Sequence, residues 1–205
     1  MSAPLIDARP RLLLATSNPG KVREFRRLLD GCGYEVITPA EAGIAIEVEE
    51  SGSSYVENAS LKATAFANAG GCLALADDSG IEVDALGGAP GMFSARYGGP
   101  GLDDAGRTTR LVAELRHVPR AERTARYRAV VAVAETAGAV SLFEGVQEGT
   151  IACAPRGSGG FGYDPVFLID GVRTQAEISE EEKDRISHRG QAVRAARVYL
   201  AGLLG

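Results

Sequence analysis

The sequence predicts an α/β fold, and three observations support that reading. Short apolar runs that read as strands alternate along the chain with stretches of helical period. A length of 205 residues, 45% hydrophobic and 24% charged, suffices for one sizeable core, and no repeat or low-complexity linker divides it. Late in the chain, two long alternating segments flank a turn. We therefore read residues 1–10 as an N-terminal tail and residues 11–205 as a single domain.

The apolar run 11–16 is the first expected strand. Ser17-Asn18-Pro19-Gly20 then turns the chain into a helix from Lys21, with Val22, Phe25, Leu28 and Leu29 on one face and Gly31 or Gly33 as its stop. In such a strand–loop–helix unit, free backbone N–H groups and the helix dipole favour an anion, and Thr16, Asn18 and Lys21 would line it. It is not a Walker A loop, because the leading glycine and the Ser or Thr after the lysine are missing. Residues 34–38 and 44–48 read as two further strands, the second ending in Glu49-Glu50. Ser54 and Glu57 stand at capping-box spacing and open an alanine-rich helix that runs to Gly70-Gly71. Asn58 and Lys62, four apart, share one face of it.

Residues 72–76 read as a buried strand ending in Asp77-Asp78-Ser79-Gly80. Successive strand side chains face opposite ways, so the two carboxylates converge on one ligand only if the strand breaks, and Ser79-Gly80 is expected to supply that break. Residues 81–86 alternate again and lead into a glycine-rich loop, 87–99, whose ordering cost implies mobility or a purpose. A helix over about 103–116 precedes two strands, 123–135 and 139–152, joined by Thr136-Ala137-Gly138. The loop 156–165 presents Phe161, Tyr163 and Asp164; its glycines would let a flat ring approach Phe161, with Asp164 accepting from N–H groups on the ring's edge. A strand over 166–169 follows. Ser179 and Glu182 then open a short helix containing Lys183, which ends at Ser187-His188-Arg189-Gly190, and residues 191–204 form a final amphipathic helix.

Composition narrows the function. A formal charge of −5 argues against a nucleic-acid polymer as partner, while leaving room for a local basic pocket. No apolar segment approaches the roughly 18 residues needed to span a bilayer, and the first eleven residues lack a signal-peptide core, so a cytoplasmic protein is expected. Cys32, Cys72 and Cys153 read as small buried apolar residues rather than a disulfide set. Only Lys21, Lys62 and Lys183 are lysine among 22 basic residues. Lysine offers phosphate oxygens a compact point charge, which draws attention to those three positions.

Taken together, the segments Ala15 to Lys21, Glu49 to Lys62, Ala76-Asp77-Asp78-Ser79-Gly80 with Gly87 to Tyr97, Phe161-Gly162-Tyr163-Asp164-Pro165 and Ser187-His188-Arg189-Gly190 resemble the inosine triphosphate pyrophosphatase family. They occur in family order and cover nearly the whole chain from Arg11. Two departures are mild: Ser54-Tyr55 stands where Thr-Phe is usual, and Tyr163 holds a position that varies between Tyr and Trp. The resemblance implies a mixed long central sheet with flanking helices, two lobes around a nucleotide-binding cleft, and a homodimer. It also implies Mg²⁺-dependent hydrolysis of non-standard purine nucleoside triphosphates (ITP, dITP, XTP) to monophosphate and pyrophosphate, which keeps them out of DNA and RNA.

Site residues carried over from the resemblance divide by task. Asp78 would activate the attacking water and, with Glu49, bind the metal, Glu50 and Asp77 being the neighbouring alternatives. Thr16, Ser17, Asn18, Lys21 and Lys62 would hold the phosphates. Phe161 would stack on the base and Asp164, Lys183, His188 and Arg189 would read its edge, with Ser79, Gly162 and Tyr163 completing the substrate-binding set. Two rival functions are a Maf-like pyrophosphatase acting on modified pyrimidine or methylated nucleotides and a non-catalytic nucleotide sensor.

Overall fold

The computed structural model describes residues 9–205, so most of the expected tail lies outside the described residues. In chain order the elements are β1 (Arg11–Leu14), α1 (Pro19–Leu28), β2 (Glu35–Ile37), α2 (Tyr55–Gly70), β3 (Leu73–Val83), β4 (Pro90–Gly91), α3 (Asp104–Glu114), β5 (Thr124–Ala134), β6 (Val140–Ile151), β7 (Phe167–Leu168), α4 (Glu180–Ile186) and α5 (His188–Gly202). One mixed sheet runs β2-β1-β3-β5-β6-β7, with β4 also on β3. β1 lies parallel to β2 and β3, whereas the remaining pairs are antiparallel.

Helices cover both faces because the strands' side chains alternate between them. Leu12, Leu14, Leu75, Val131 and Val133 meet Phe25 of α1 and Val193, Ala196 and Leu200 of α5. On the opposite face Leu13, Ala74, Ala76, Val130 and Ala132 meet Ala59, Ala63 and Phe66 of α2. A third core, under α3, gathers Ile81, Val83, Leu111, Leu115, Tyr127, Tyr163 and Phe167 and forms the second lobe.

The sheet corrects the expected break. β3 runs unbroken through Asp77, Asp78, Ser79 and Gly80, which pair in register with Val131, Val130, Ala129 and Arg128 of β5. Ten consecutive rungs against a buried apolar strand override the local turn preference of Asp-Asp-Ser-Gly. The two expected runs are thus joined in one strand, Leu73–Val83, and Asp84–Leu86 wind into a 3₁₀ turn after it. Gly80 earns its place by packing rather than bending: a Cβ there would stand 2.1 Å from the Gly91 carbonyl oxygen, so its absence lets the 87–99 loop lie on the strand.

The other edge of β3 explains the cleft. β1 pairs it only at Leu73, Ala74 and Leu75, and β4 only at Ile81 and Glu82. Between them residues 76–80 have no strand neighbour on that side, and groups from both faces of the sheet can meet there.

Smaller differences have local causes. Residues 44–48 join no ladder; their alternation reflects Ile44 and Val48 packing against the α2 core while Ile46 stays exposed. β7 is shorter than 166–169, since only two of its residues pair with β6. The last helix begins at His188, not at 191, because Ser187 ends α4 and caps α5, accepting from Gly190 N at 3.0 Å. Glu57 reaches Ser53 N (2.6 Å) rather than its capping partner Ser54, whose hydroxyl still accepts from Glu57 N. Cys32 and Cys72 are half-buried, but Cys153 is exposed, with its thiol pKa lowered by the Arg120 guanidinium 3.3 Å away.

Candidate active site

The cleft at the uncovered β3 edge encloses about 140 Å³ and is lined by residues from both lobes, among them Lys21, Glu50, Asp78, Phe161, Lys183 and Arg189. Because β3 does not break, its adjacent acids face opposite ways. Asp78 points to the α2 side, where Asn58 Nδ2 donates to it at 3.2 Å and Lys62 Nζ stands 3.4 Å away. Lys62 also contacts Glu50 Oε1 and the Asp77 carbonyl, both at 2.7 Å. The four-residue spacing of Asn58 and Lys62 on α2 thus brings both onto one carboxylate. Burial outweighs these partners and raises the Asp78 carboxyl above its ordinary pKa. Glu50 moves the other way: Lys62 overcomes the cost of burial and lowers it.

Asp77, on the α1 and α5 side, is surrounded by cations. Lys21 Nζ lies 2.9 Å from one oxygen, and Arg189 Nη2 (3.1 Å), Arg189 Nε (3.3 Å) and the Ser79 hydroxyl (2.9 Å) donate to the other. Burial opposes its charge, yet Lys21, Arg189 and Lys62 together hold the carboxyl well below the usual range. From Arg189 the charge chain continues: Nη1 donates to Glu24 at 2.6 Å, Glu24 pairs with Lys183, and Lys183 pairs with Asp164. The half-buried Lys21 and two buried cations alternate with three buried acids, as burial of charge requires.

Around the base-binding candidates the structure is equally committed. Asp164 accepts from Phe161 N (2.9 Å), Gln175 Nε2 (3.2 Å), Tyr127 hydroxyl (3.3 Å) and Lys183, so it organises the loop. The carboxylate expected to read a ring edge therefore has its oxygens occupied by the protein. Tyr163 donates to the Ser94 carbonyl at 2.8 Å, and Gly162 N donates to Asp104 at 2.8 Å. Phe161 lies against Gly20, where a Cβ would meet the ring at 2.6 Å, with Lys183 Nζ 5.0 Å and Arg189 Cζ 5.6 Å from its centroid. His188 stacks on Tyr127 at 4.6 Å, and its buried Nδ1 has no partner. Burial, with Arg189 and Lys183 nearby, keeps this imidazole far below its ordinary pKa.

Five expected positions lie outside the cleft lining, Thr16, Ser17, Glu49, Lys62 and Asp77, the last two still bonded to residues that line it. Glu49 is exposed and outside the cleft lining, where Glu50 stands instead. Thr16 and Ser17 also lie outside that lining, in the turn before α1. Asn18 lines the cleft but spends its Oδ1 on Gly20 N (2.8 Å) and Lys21 N (3.1 Å), so these two helix N–H groups are already satisfied. Glu24 and Tyr127 escaped sequence reasoning. Neither carried a local signal: the partners of Glu24, Lys183 and Arg189, lie far away in sequence, and Tyr127 is one aromatic in an alternating strand.

Residues 12–199 match the model of the Ham1 family. The chain belongs to the Ham1 family. Among relatives of this Ham1 chain, the dITP/XTP pyrophosphatase of Desulforamulus reducens is 49% identical over 187 residues, 91% of this chain and 93% of that one. The dITP/XTP pyrophosphatase of Symbiobacterium thermophilum is 50% identical over 197 residues, 95% and 96% of the two chains. A solved HAM1 protein from Coxiella burnetii superposes with a TM-score of 0.84 at 40% identity, covering 94% of this chain and 99% of that one. The mixed sheet with flanking helices is thus the Ham1 architecture.

Among the described residues no three His, Cys, Asp or Glu side chains cluster at metal-holding spacing. The donor set nevertheless fits Mg²⁺, which takes one or two carboxylates and completes its shell with water and phosphate oxygens. Glu50 and Asp78 are two such carboxylates, joined through Lys62.

Proposed function

We propose that this Ham1 chain is a nucleoside triphosphate pyrophosphohydrolase acting on non-standard purine nucleotides, dITP/ITP and XTP/dXTP, and so keeps them out of DNA and RNA. The division of β3's acids carries the reading: Asp77 anchors cations, while Asp78 faces the cleft with a raised pKa. Asp78 takes the proton of the attacking water as its oxygen bonds to the α-phosphorus. The bond from that phosphorus to the bridging oxygen breaks, and pyrophosphate leaves with the oxygen. Lys62 and Lys21 offset the charge gathering on the leaving group. Glu50 and Asp78, with Glu49 adjoining, would hold Mg²⁺, which supplies positive charge to the phosphate oxygens.

Base choice follows from donor counting. A guanidinium has five N–H donors and an ammonium three. Arg189 spends four on Asp77, Glu24 and Ser79, and Lys183 spends two on Glu24 and Asp164, leaving one donor on each. A 6-keto oxygen accepts them, whereas the 6-amino group of adenine does not; guanine shares the keto oxygen, so its 2-amino group must be excluded separately, by shape or by an unmatched donor. Each donor left unpaired costs about 1–3 kcal/mol, roughly 5- to 150-fold in kcat/KM. We also place the enzyme in the cytoplasm as a homodimer, for which sedimentation is the check; among the described residues no helix is long and apolar enough to cross a membrane.

Pyrophosphate and orthophosphate release should be measured with Mg²⁺ from inosine, xanthosine, adenosine and guanosine triphosphates in parallel. Pyrophosphate from the first two alone is expected. Release mainly from pyrimidine or methylated nucleotides would transfer the chain to Maf-like chemistry, and binding without release would make it a sensor.

A further inference from the structure

The glycine-rich loop between β3 and α3 holds one cation against a carboxylate that lines the cleft. Ser94 fixes that loop: its hydroxyl donates to the Gly91 carbonyl (2.6 Å) and accepts from Ile81 N (2.9 Å), and its carbonyl takes the Tyr163 hydroxyl (2.8 Å). Ala95 and Glu50 line the cleft, and Arg96, just outside that lining, pairs with Glu50, Nη2 to Oε2 at 3.4 Å. Glu50's other oxygen is held by Lys62 of α2. One carboxylate therefore ties together cations from opposite walls, and among the described residues it is the only acid paired with Arg96.

That pairing is weak by construction. The Arg96 side chain is 57% exposed, and an exposed ion pair is worth little. A triphosphate brings several negative charges to the same place, and the guanidinium fork matches phosphate oxygens in pairs. The Phe93 ring, 5.9 Å from the guanidinium carbon, backs the side chain without engaging its N–H groups. An incoming substrate thus competes with the cleft-lining Glu50 for a cation that an anchored loop holds beside it.

We propose that Arg96 is a further substrate-binding residue, which exchanges Glu50 for the β- and γ-phosphates and grips the pyrophosphate half of the molecule. The proposal rests on the pyrophosphohydrolase reading. It separates Arg96 from the base-facing groups, because a residue that grips only the leaving half affects one product and not the other.

The test compares wild type, Arg96→Ala and Arg96→Lys in inosine triphosphate hydrolysis, with inorganic pyrophosphate and inosine monophosphate as separate product inhibitors. In Arg96→Ala the inhibition constant for pyrophosphate should rise about tenfold or more, while that for the monophosphate stays within about twofold. Arg96→Lys, which keeps the charge and loses the fork, should recover part of the difference. An unchanged pyrophosphate constant in an active enzyme, or equal rises for both products, would overturn the role of Arg96 alone. Failure of the wild type to release pyrophosphate would instead overturn the functional reading, and this proposal with it.

Discussion

Asp77 and Asp78 are neighbours in sequence and opposites in environment. Both are nearly inaccessible, at 2% and 5% exposure, yet one is driven below and the other above the ordinary carboxyl pKa. The difference lies in what each face of β3 supplies. On the α1 and α5 face, Lys21 and Arg189 converge on Asp77; on the α2 face, Asp78 has one amide and a lysine it shares with Glu50. A continuous strand can therefore build a cation anchor and a proton acceptor from two successive identical residues, since alternation sends them to different neighbours.

The strongest way to break this contrast is Asp77→Asn. It leaves Arg189 and Lys21 buried beside a neutral amide, and urea unfolding at pH 7 should show about 3–5 kcal/mol lost. The deficit should depend on pH in a fixed direction. Asp77's folded pKa lies below its unfolded value of about 3.9, so its stabilisation is present above that value and is lost as pH falls towards the folded one. The gap between wild type and variant should accordingly narrow below about pH 4. Asp78 has the opposite sign: ionising it costs stability as pH rises above its unfolded value. Asp78→Asn should unfold at pH 7 no earlier than wild type, because Lys62 keeps Glu50 and the Asp77 carbonyl.

Two smaller perturbations sharpen the picture. Gly80→Ala forces a Cβ against the Gly91 carbonyl oxygen and should cost about 1–3 kcal/mol, read from the denaturation midpoint, while raising KM through the displaced loop. Ser54→Ala removes the cap of α2 and should cost about 1 kcal/mol, with kcat nearly unchanged if the helix still presents Asn58 and Lys62.

Much of this was legible in the sequence. The β1–loop–α1 unit, the capped α2 with Asn58 and Lys62 on one face, and the β5–β6 pair each announce themselves through local pattern. The unbroken path of β3 did not, because Asp-Asp-Ser-Gly has the local chemistry of a turn and only the ladder to β5 overrules it. Glu24 was hidden for a different reason. A carboxylate on an amphipathic helix reads as solvated, and its burial makes sense only beside Lys183 and an arginine 165 residues further on. The preference for Glu50 over Glu49 at the cleft was equally beyond reach, since two adjacent acids in an irregular segment give no periodicity that orients either.

The account is tested most directly by Asp78→Asn, through its kcat for inosine triphosphate and its affinity for the same nucleotide by calorimetry. Loss of the proton acceptor predicts a fall in kcat of about 10²- to 10⁴-fold with binding retained. Turnover near the wild-type rate would contradict the assignment and move the chemistry away from the α2 face of β3.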